Sequence, residues 1–186
     1  MLQNETGEDI LHEMFSSFSC KKNKEVETFL ADKAIMSAKQ KQSITYLVMS
    51  KTTGAIVGYF TLTIKPITIV QDIFDGFSAK LRNKIRRNAK YDPNTNSFAL
   101  SSYLIAQFGK NDNVNEISGA DLMEITLNKI QQIQYMVGGN IAFVEATPHP
   151  KLIQFYEDRG FRQFAVTAVN NEHIEETTLL QLLVML

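Results

Sequence analysis

Several things are scarce in this chain, and each scarcity removes a class of protein. There is one cysteine, Cys20, so no internal disulfide can form. No cysteine or histidine spacing suits zinc, and His12 and His173 have no clustered partners, so no metal site is expected. A lone thiol suits a reducing, cytoplasmic setting. Long apolar runs are missing as well. The longest, Leu179 to Leu186, is broken by Gln181 and has the length of a buried strand, far short of the roughly 20 residues of a membrane span. The N-terminus has no signal-peptide pattern. An excess of one charge is also missing. Nineteen basic against twenty acidic residues leave a net charge of −1, which argues against a general nucleic-acid binder but not against a local basic patch. Internal repeats, low-complexity segments and linkers are absent, so residues 1–186 read as a single domain with room for a substantial core.

What is present is ordinary for a soluble globular protein: 44% hydrophobic and 21% charged residues. Ile10, Leu11, Met14, Phe15 and Phe18 fit a first amphipathic helix; Val26, Phe29, Leu30, Ala34 and Ile35 fit a second, to about Ala38. Ile44 to Ser50 predicts a strand, Lys51 to Gly54 a turn, and Ala55 to Lys65 its antiparallel partner, ended by Pro66. Gly58 inside that partner suggests a bulge or a close backbone approach. Phe77, Leu81, Ile85 and Ala89 recur every four residues and predict a helix. Around that stripe sit Lys80, Arg82, Lys84, Arg86, Arg87 and Lys90, with no acid between Phe77 and Tyr91. Such a cluster is either a solvated face or a contact for an anionic acceptor or RNA backbone. Asp92-Pro93-Asn94 is a turn. Arg162 to Val169 and Thr177 to Leu186 predict two last strands, joined by the polar Asn170 to Glu176.

The chain is organised around Ser97 to Phe161. A largely apolar strand, Phe98 to Phe108, leads through Gly109 and the loop Lys110 to Glu116 into a long helix. Leu122, Thr126, Ile130, Ile133 and Val137, with Ile125 beside them, form its apolar stripe. Ser118 and Asp121 have capping-box spacing, and Gly138-Gly139 supplies the stop. A strand feeding a helix in this way presents free backbone N–H groups and the positive end of the helix dipole. That arrangement either binds an anion such as a phosphate or is an ordinary junction. It is not a nucleotide P-loop, because Leu104 and Asn111 occupy positions that need Gly and Ser or Thr.

The end of the stretch is more specific. Phe155-Tyr156-Glu157-Asp158-Arg159-Gly160-Phe161 follows a strand, Ile141 to Ala146, and a short helix. This sequence, an aromatic, Tyr, three residues, Gly and Phe, resembles the GNAT superfamily of N-acetyltransferases. Phe18-Ser19-Cys20, Phe29-Leu30 with Ala34, Thr45 to Val48 and Val57 to Leu62 resemble the branch that includes toxins acetylating aminoacyl-tRNA.

The resemblance implies a mixed α/β fold. Its central, mostly antiparallel sheet would have six to seven strands, splayed at the cofactor site, with helices on both faces. It implies transfer of an acetyl group from acetyl-CoA to a primary amine, with Tyr156 as the acid that protonates the departing thiolate. A phenol is suited to that role, since its ordinary pKa of about 10 keeps it protonated at neutral pH. Pantetheine would pair with the strand edge at Ile105, Ala106 and Gln107, by a form of strand addition. The pyrophosphate would rest on the N–H groups of Ile117, Ser118, Gly119 and Ala120. That loop departs from the family pattern, with Ile117 at the first Gly position and Val114 at the Gln or Arg position. Backbone donors do not depend on those side chains. Glu145 is either a general base or a paired structural carboxylate. His149 stands where the family often has an Asn touching the cofactor, and either replaces it or caps the helix beside Pro150. The acceptor would be a small molecule, a peptide or an aminoacyl-tRNA, with an antitoxin-like protein or a second copy of the chain as partners. A module that binds CoA or a partner without catalysis is the non-enzymatic alternative.

Overall fold

A computed structural model describes residues 5–171 and 174–186. His173 and part of the polar Asn170 to Glu176 connection lie outside the described residues. Seven strands form one open, mostly antiparallel sheet in the order β1-β2-β4-β5-β7-β6, with β3 attached to β4. The strands are β1 (Ile44–Met49), β2 (Ile56–Val70), β3 (Lys90–Asp92), β4 (Ser97–Lys110), β5 (Ile141–Ala146), β6 (Arg162–Asn171) and β7 (Ile174–Met185). The helices are α1 (Glu5–Ser16), α2 (Lys24–Thr28), α3 (Ala34–Lys39), α4 (Gln71–Asp75), α5 (Ala79–Asn88), α6 (Gly119–Val137) and α7 (Pro150–Glu157). The mixed α/β class and the strand number are those expected. The chain forms two compact units, Met1–Thr63 with Ile105–Lys129, and Ile64–Leu104 with Ile130–Leu186.

The first unit packs its helices over Phe15, Phe18, Val26, Leu30, Ala34, Ile56 and Tyr59, all buried in one cluster. The second predicted helix is two α segments joined by a π turn, Phe29–Lys33. The sequence explains the insertion. Val26, Leu30 and Ala34 are buried at four-residue steps, and each step overshoots a 3.6-residue turn. A wider turn absorbs the excess and keeps the three on one face. Gly58 does what was expected of it. A Cβ there would lie 3.1 Å from the Gly109 carbonyl oxygen and 3.1 Å from Leu122 Cδ2. The β1–β2 register also slips beside it, between Val48 and Met49.

In the second unit, Ile67, Ile69, Phe74, Ile85, Phe98, Leu100, Leu104, Phe143, Phe164 and Leu183 form the core. α5 is two residues shorter at its start and one at its end than its stripe suggests. Ser78 caps it by accepting from the Leu81 N–H, while Phe77 and Ala89 pack from outside the helix. Pro66 does not end β2, which continues to Val70. Ile44, where β1 begins, pairs with Leu62, so β2 has left its outer neighbour before it reaches Pro66. There, a missing N–H costs no ladder bond on that side. The last two strands extend beyond their predicted ends, and Asn171 pairs with Ile174.

Helix α6 buries Leu122, Met123, Thr126 and Ile130 and leaves Ile125 and Val137 exposed, so the expected stripe does not hold along its whole length. Gly138 and Gly139 stop it at φ +81° and +96°, backbone angles that glycine adopts without steric penalty.

Candidate active site

β2 and β4 are hydrogen-bonded neighbours in the sheet. The Gln71 N–H donates to the Asn96 carbonyl beyond one end of β4, and the Asn111 N–H to the Val57 carbonyl beyond the other. β5 is the other neighbour of β4 in the sheet, and β3 pairs with β4 over Ser97 to Ala99. Of the expected pantetheine-facing residues, Ile105 is buried, Ala106 exposed and Gln107 half-buried.

The loop after β4 ends in the predicted capping box. Asp121 N–H donates to Ser118 Oγ at 3.1 Å, and Ser118 N–H donates back to Asp121 Oδ2 at 2.7 Å. The Ser118 hydroxyl, which also donates to Asp121 Oδ2 at 2.7 Å, and then the Ser118 N–H hold the Asp121 carboxyl below its usual range. The sequence reading counted Ser118 N–H among the anion donors, yet it already serves this carboxylate. The N–H groups of Ile117, Gly119 and Ala120 meet no protein acceptor among the described residues. Three donors at the start of a 19-residue helix remain a fit for a phosphate group.

In the second unit, Tyr156 lies on α7, which starts at Pro150 with its preset φ. His149 is at the N-cap, where its carbonyl accepts from Leu152 and Ile153 but its side chain makes no capping bond. Its exposed imidazole is therefore not a cap. Tyr156 is 6% exposed, edge-on to Phe155 and Phe161 with ring centroids 5.3 and 5.4 Å away. Gly160, at φ +83°, turns the chain so that the wholly buried Phe161 returns against that ring. Arg159 lies over Phe155, its guanidinium carbon 3.8 Å from the ring centre. Burial pushes the Tyr156 phenol up to about 12. Its hydroxyl meets no hydrogen-bond partner among the described residues, and no fully buried side-chain N or O atom there lacks one. The hydroxyl is thus not sealed completely from solvent.

Glu145, on β5, is paired. Lys65 Nζ lies 2.9 Å and Gln181 Nε2 2.7 Å from its Oε1. Both partners escaped the sequence reading. Gln181 stands directly opposite Glu145 in the β5–β7 register, which no local pattern reveals. Among the described residues no group of His, Cys, Asp and Glu could hold a metal ion. No helix among them is long and apolar enough to cross a membrane.

No protein-family model and no curated protein matches the chain by sequence. Solved structures do match it. A bacterial toxin crystal structure aligns with 94% of this chain and 86% of its own, at TM-score 0.63 and 14% identity. AtaT complexed with acetyl-methionyl-tRNAfMet aligns over 89% and 85%, at TM-score 0.62 and 20% identity. A Tyr-to-Phe mutant of KacT aligns over 89% and 86%, at TM-score 0.61 and 19% identity.

This chain has the GNAT fold. At such identities the likeness concerns the GNAT architecture alone, which makes the local geometry of Tyr156 and of the α6 N-terminus the place where chemistry has to be argued.

Proposed function

We propose that this protein transfers an acetyl group from acetyl-CoA to a primary amine by direct attack in a ternary complex, residues 1–186 working as one acetyltransferase-like domain. The observation that carries the reading is Tyr156: a buried phenol packed among aromatics that keeps its proton at neutral pH and whose hydroxyl has no hydrogen-bond partner among the described residues. AtaT, which shares the fold, has been crystallised with acetyl-CoA. Here the free N–H groups of Ile117, Gly119 and Ala120 would hold the diphosphate, and the backbone of Ile105, Ala106 and Gln107 the pantetheine amides. His149 would add a side-chain contact to the cofactor.

The amine nitrogen attacks the thioester carbonyl carbon, and the C–S bond breaks as the tetrahedral adduct collapses. Tyr156 then gives its hydroxyl proton to the leaving sulfur. A phenol at about 12 is a weak acid against a thiolate in water, but desolvation that raises the phenol raises the thiolate too, which narrows the gap. The proton lost by the amine passes to solvent or to Glu145 Oε2, the oxygen that Lys65 and Gln181 leave free. The direct test is thiol release from acetyl-CoA with a panel of amines. Binding without release would favour a non-catalytic CoA module, and no binding at all would remove the reading.

A second reading names the acceptor as the amino group of an aminoacyl-tRNA. It is favoured by α5, whose Lys80, Arg82, Arg86 and Arg87 form no ion pair with a side-chain carboxylate among the described residues, while Lys84 Nζ donates to the Leu186 carbonyl oxygen. An antitoxin-like protein partner and a homodimer accompany that reading, in a cytoplasmic setting. Acetylation of bulk aminoacyl-tRNA, unchanged on charge reversal at Lys84, Arg86 and Arg87, would exclude the α5 contact.

A further inference from the structure

The loop from β4 to α6 lacks the glycine-rich sequence that would let a backbone wrap a diphosphate by itself. Something else must set its shape. The answer lies at its first residues, where Asn111 is 1% exposed although it is polar and outside any helix or strand. Every hydrogen-bonding group of its side chain is used. Oδ1 accepts from Ser19 N–H at 3.2 Å and from Asn113 N–H at 3.0 Å. Nδ2 donates to the Ile56 carbonyl at 2.8 Å and to the Ser17 carbonyl at 3.4 Å. One amide thereby ties the end of β4 to the start of β2 and to the segment between α1 and α2. Asp112 adds two more ties to that segment: its N–H donates to the Ser19 carbonyl at 2.8 Å, and its Oδ2 accepts from Lys21 N–H at 2.7 Å. At the other end of the loop the Ser118–Asp121 box fixes the first turn of α6. Asn113 to Ile117 lie between the two anchors, and the Asn113 and Val114 N–H groups donate back to Asn111.

We infer that Asn111, with Asp112, is a positioning residue for acetyl-CoA: it holds the loop so that the N–H groups of Ile117, Gly119 and Ala120 converge on the diphosphate. A buried, fully satisfied amide suits the task because its geometry is fixed from four directions. An amide also carries no charge to compete with the ligand. The inference rests on the acetyltransferase reading but makes a separate claim, since no contact between Asn111 and the cofactor is involved.

The experiment measures acetyl-CoA binding by calorimetry and steady-state kinetics for the wild type, Asn111→Ala, Asp112→Ala and Asp112→Asn, with a thermal melt of each. Asn111→Ala is expected to raise both Kd and KM for acetyl-CoA about tenfold while kcat at saturation stays within about twofold, the pattern of lost binding common to ground and transition states. Because Asn111→Ala is exposed to misfolding, Asp112→Ala on the surface carries the same test in a milder form, and Asp112→Asn, which keeps an acceptor for Lys21 N–H, should restore wild-type KM. A purely structural role would lower the melting temperature of the Ala variants and leave KM unchanged. That result, or a KM unchanged in folded Asp112→Ala, overturns the inference. If the wild type itself fails to bind acetyl-CoA, the acetyltransferase reading falls, and the result is distinct because it precedes any variant.

Discussion

The two halves of the proposed chemistry are held by opposite means. The loop before α6 is fixed by hydrogen bonds, through Asn111, Asp112 and the Ser118–Asp121 box. Tyr156 is fixed by apolar contact, wedged against Phe155 and Phe161, its hydroxyl without a hydrogen-bond partner among the described residues. The difference follows from what each must present. A diphosphate is recognised by backbone donors, so the surrounding polar groups must be consumed elsewhere and leave those donors free. A proton donor that has to stay neutral gains from desolvation, which polar neighbours would undo.

If that contrast is right, removing the phenol oxygen should have the largest effect on chemistry and almost none on cofactor affinity. Tyr156→Phe is expected to lower kcat by about 10²- to 10⁴-fold, the range of a lost general acid, with acetyl-CoA Kd changed less than about twofold. Single-turnover kinetics beside calorimetry check this, and unchanged turnover would remove the acid role.

Next comes the packing that supports the ring. Phe161→Ala empties a fully buried site and should cost about 3–5 kcal/mol of stability, read from the urea midpoint. A far smaller loss would mean that the ring around Tyr156 is not held by apolar contact.

Third is the alkaline limb. Tyr156 ionises at about 10 in the unfolded chain and about 12 when folded, so the folded state holds the proton longer. Its contribution is whole below pH 10, and stability then falls by about 1.4 kcal/mol per pH unit up to about pH 12. Tyr59, also raised by burial, adds a slope of the same sign. Denaturant unfolding between pH 9 and 12 should show Tyr156→Phe losing part of that slope; an identical slope would contradict the burial assigned to the phenol.

The smallest effect belongs to the cap. Ser118→Ala removes the acceptor for Asp121 N–H and should destabilise by about 1 kcal/mol. Acetyl-CoA affinity should move less than about threefold, because the proposed donors are backbone groups. A large loss of affinity would make the Ser118 side chain part of the cradle and blur the contrast.

Much of this was legible in the residues. The Ser118 cap, the Gly138 stop, the close approach at Gly58 and the aromatic setting of Tyr156 each depend on neighbours within a few positions, and local chemistry settles such features. Pro66 misled because proline forbids only a ladder bond, and whether one is needed depends on where β1 runs out. Val137 misled because helical spacing selects a face without saying how far the core extends beneath it. Glu145 acquired Lys65 from 80 positions away and Gln181 from 36, separations at which no periodicity carries information.

The sequence by itself determined the order of elements, the mixed α/β class and the aromatic setting of the proposed acid, because periodicity, caps and one short motif are local properties. Only the tertiary structure decided which donors before α6 remain free, which oxygen of Glu145 is occupied, and that an asparagine at the end of β4 is the tie between distant segments. Those outcomes depend on which strands become neighbours, and a chain read one residue after another does not contain that information in any single stretch.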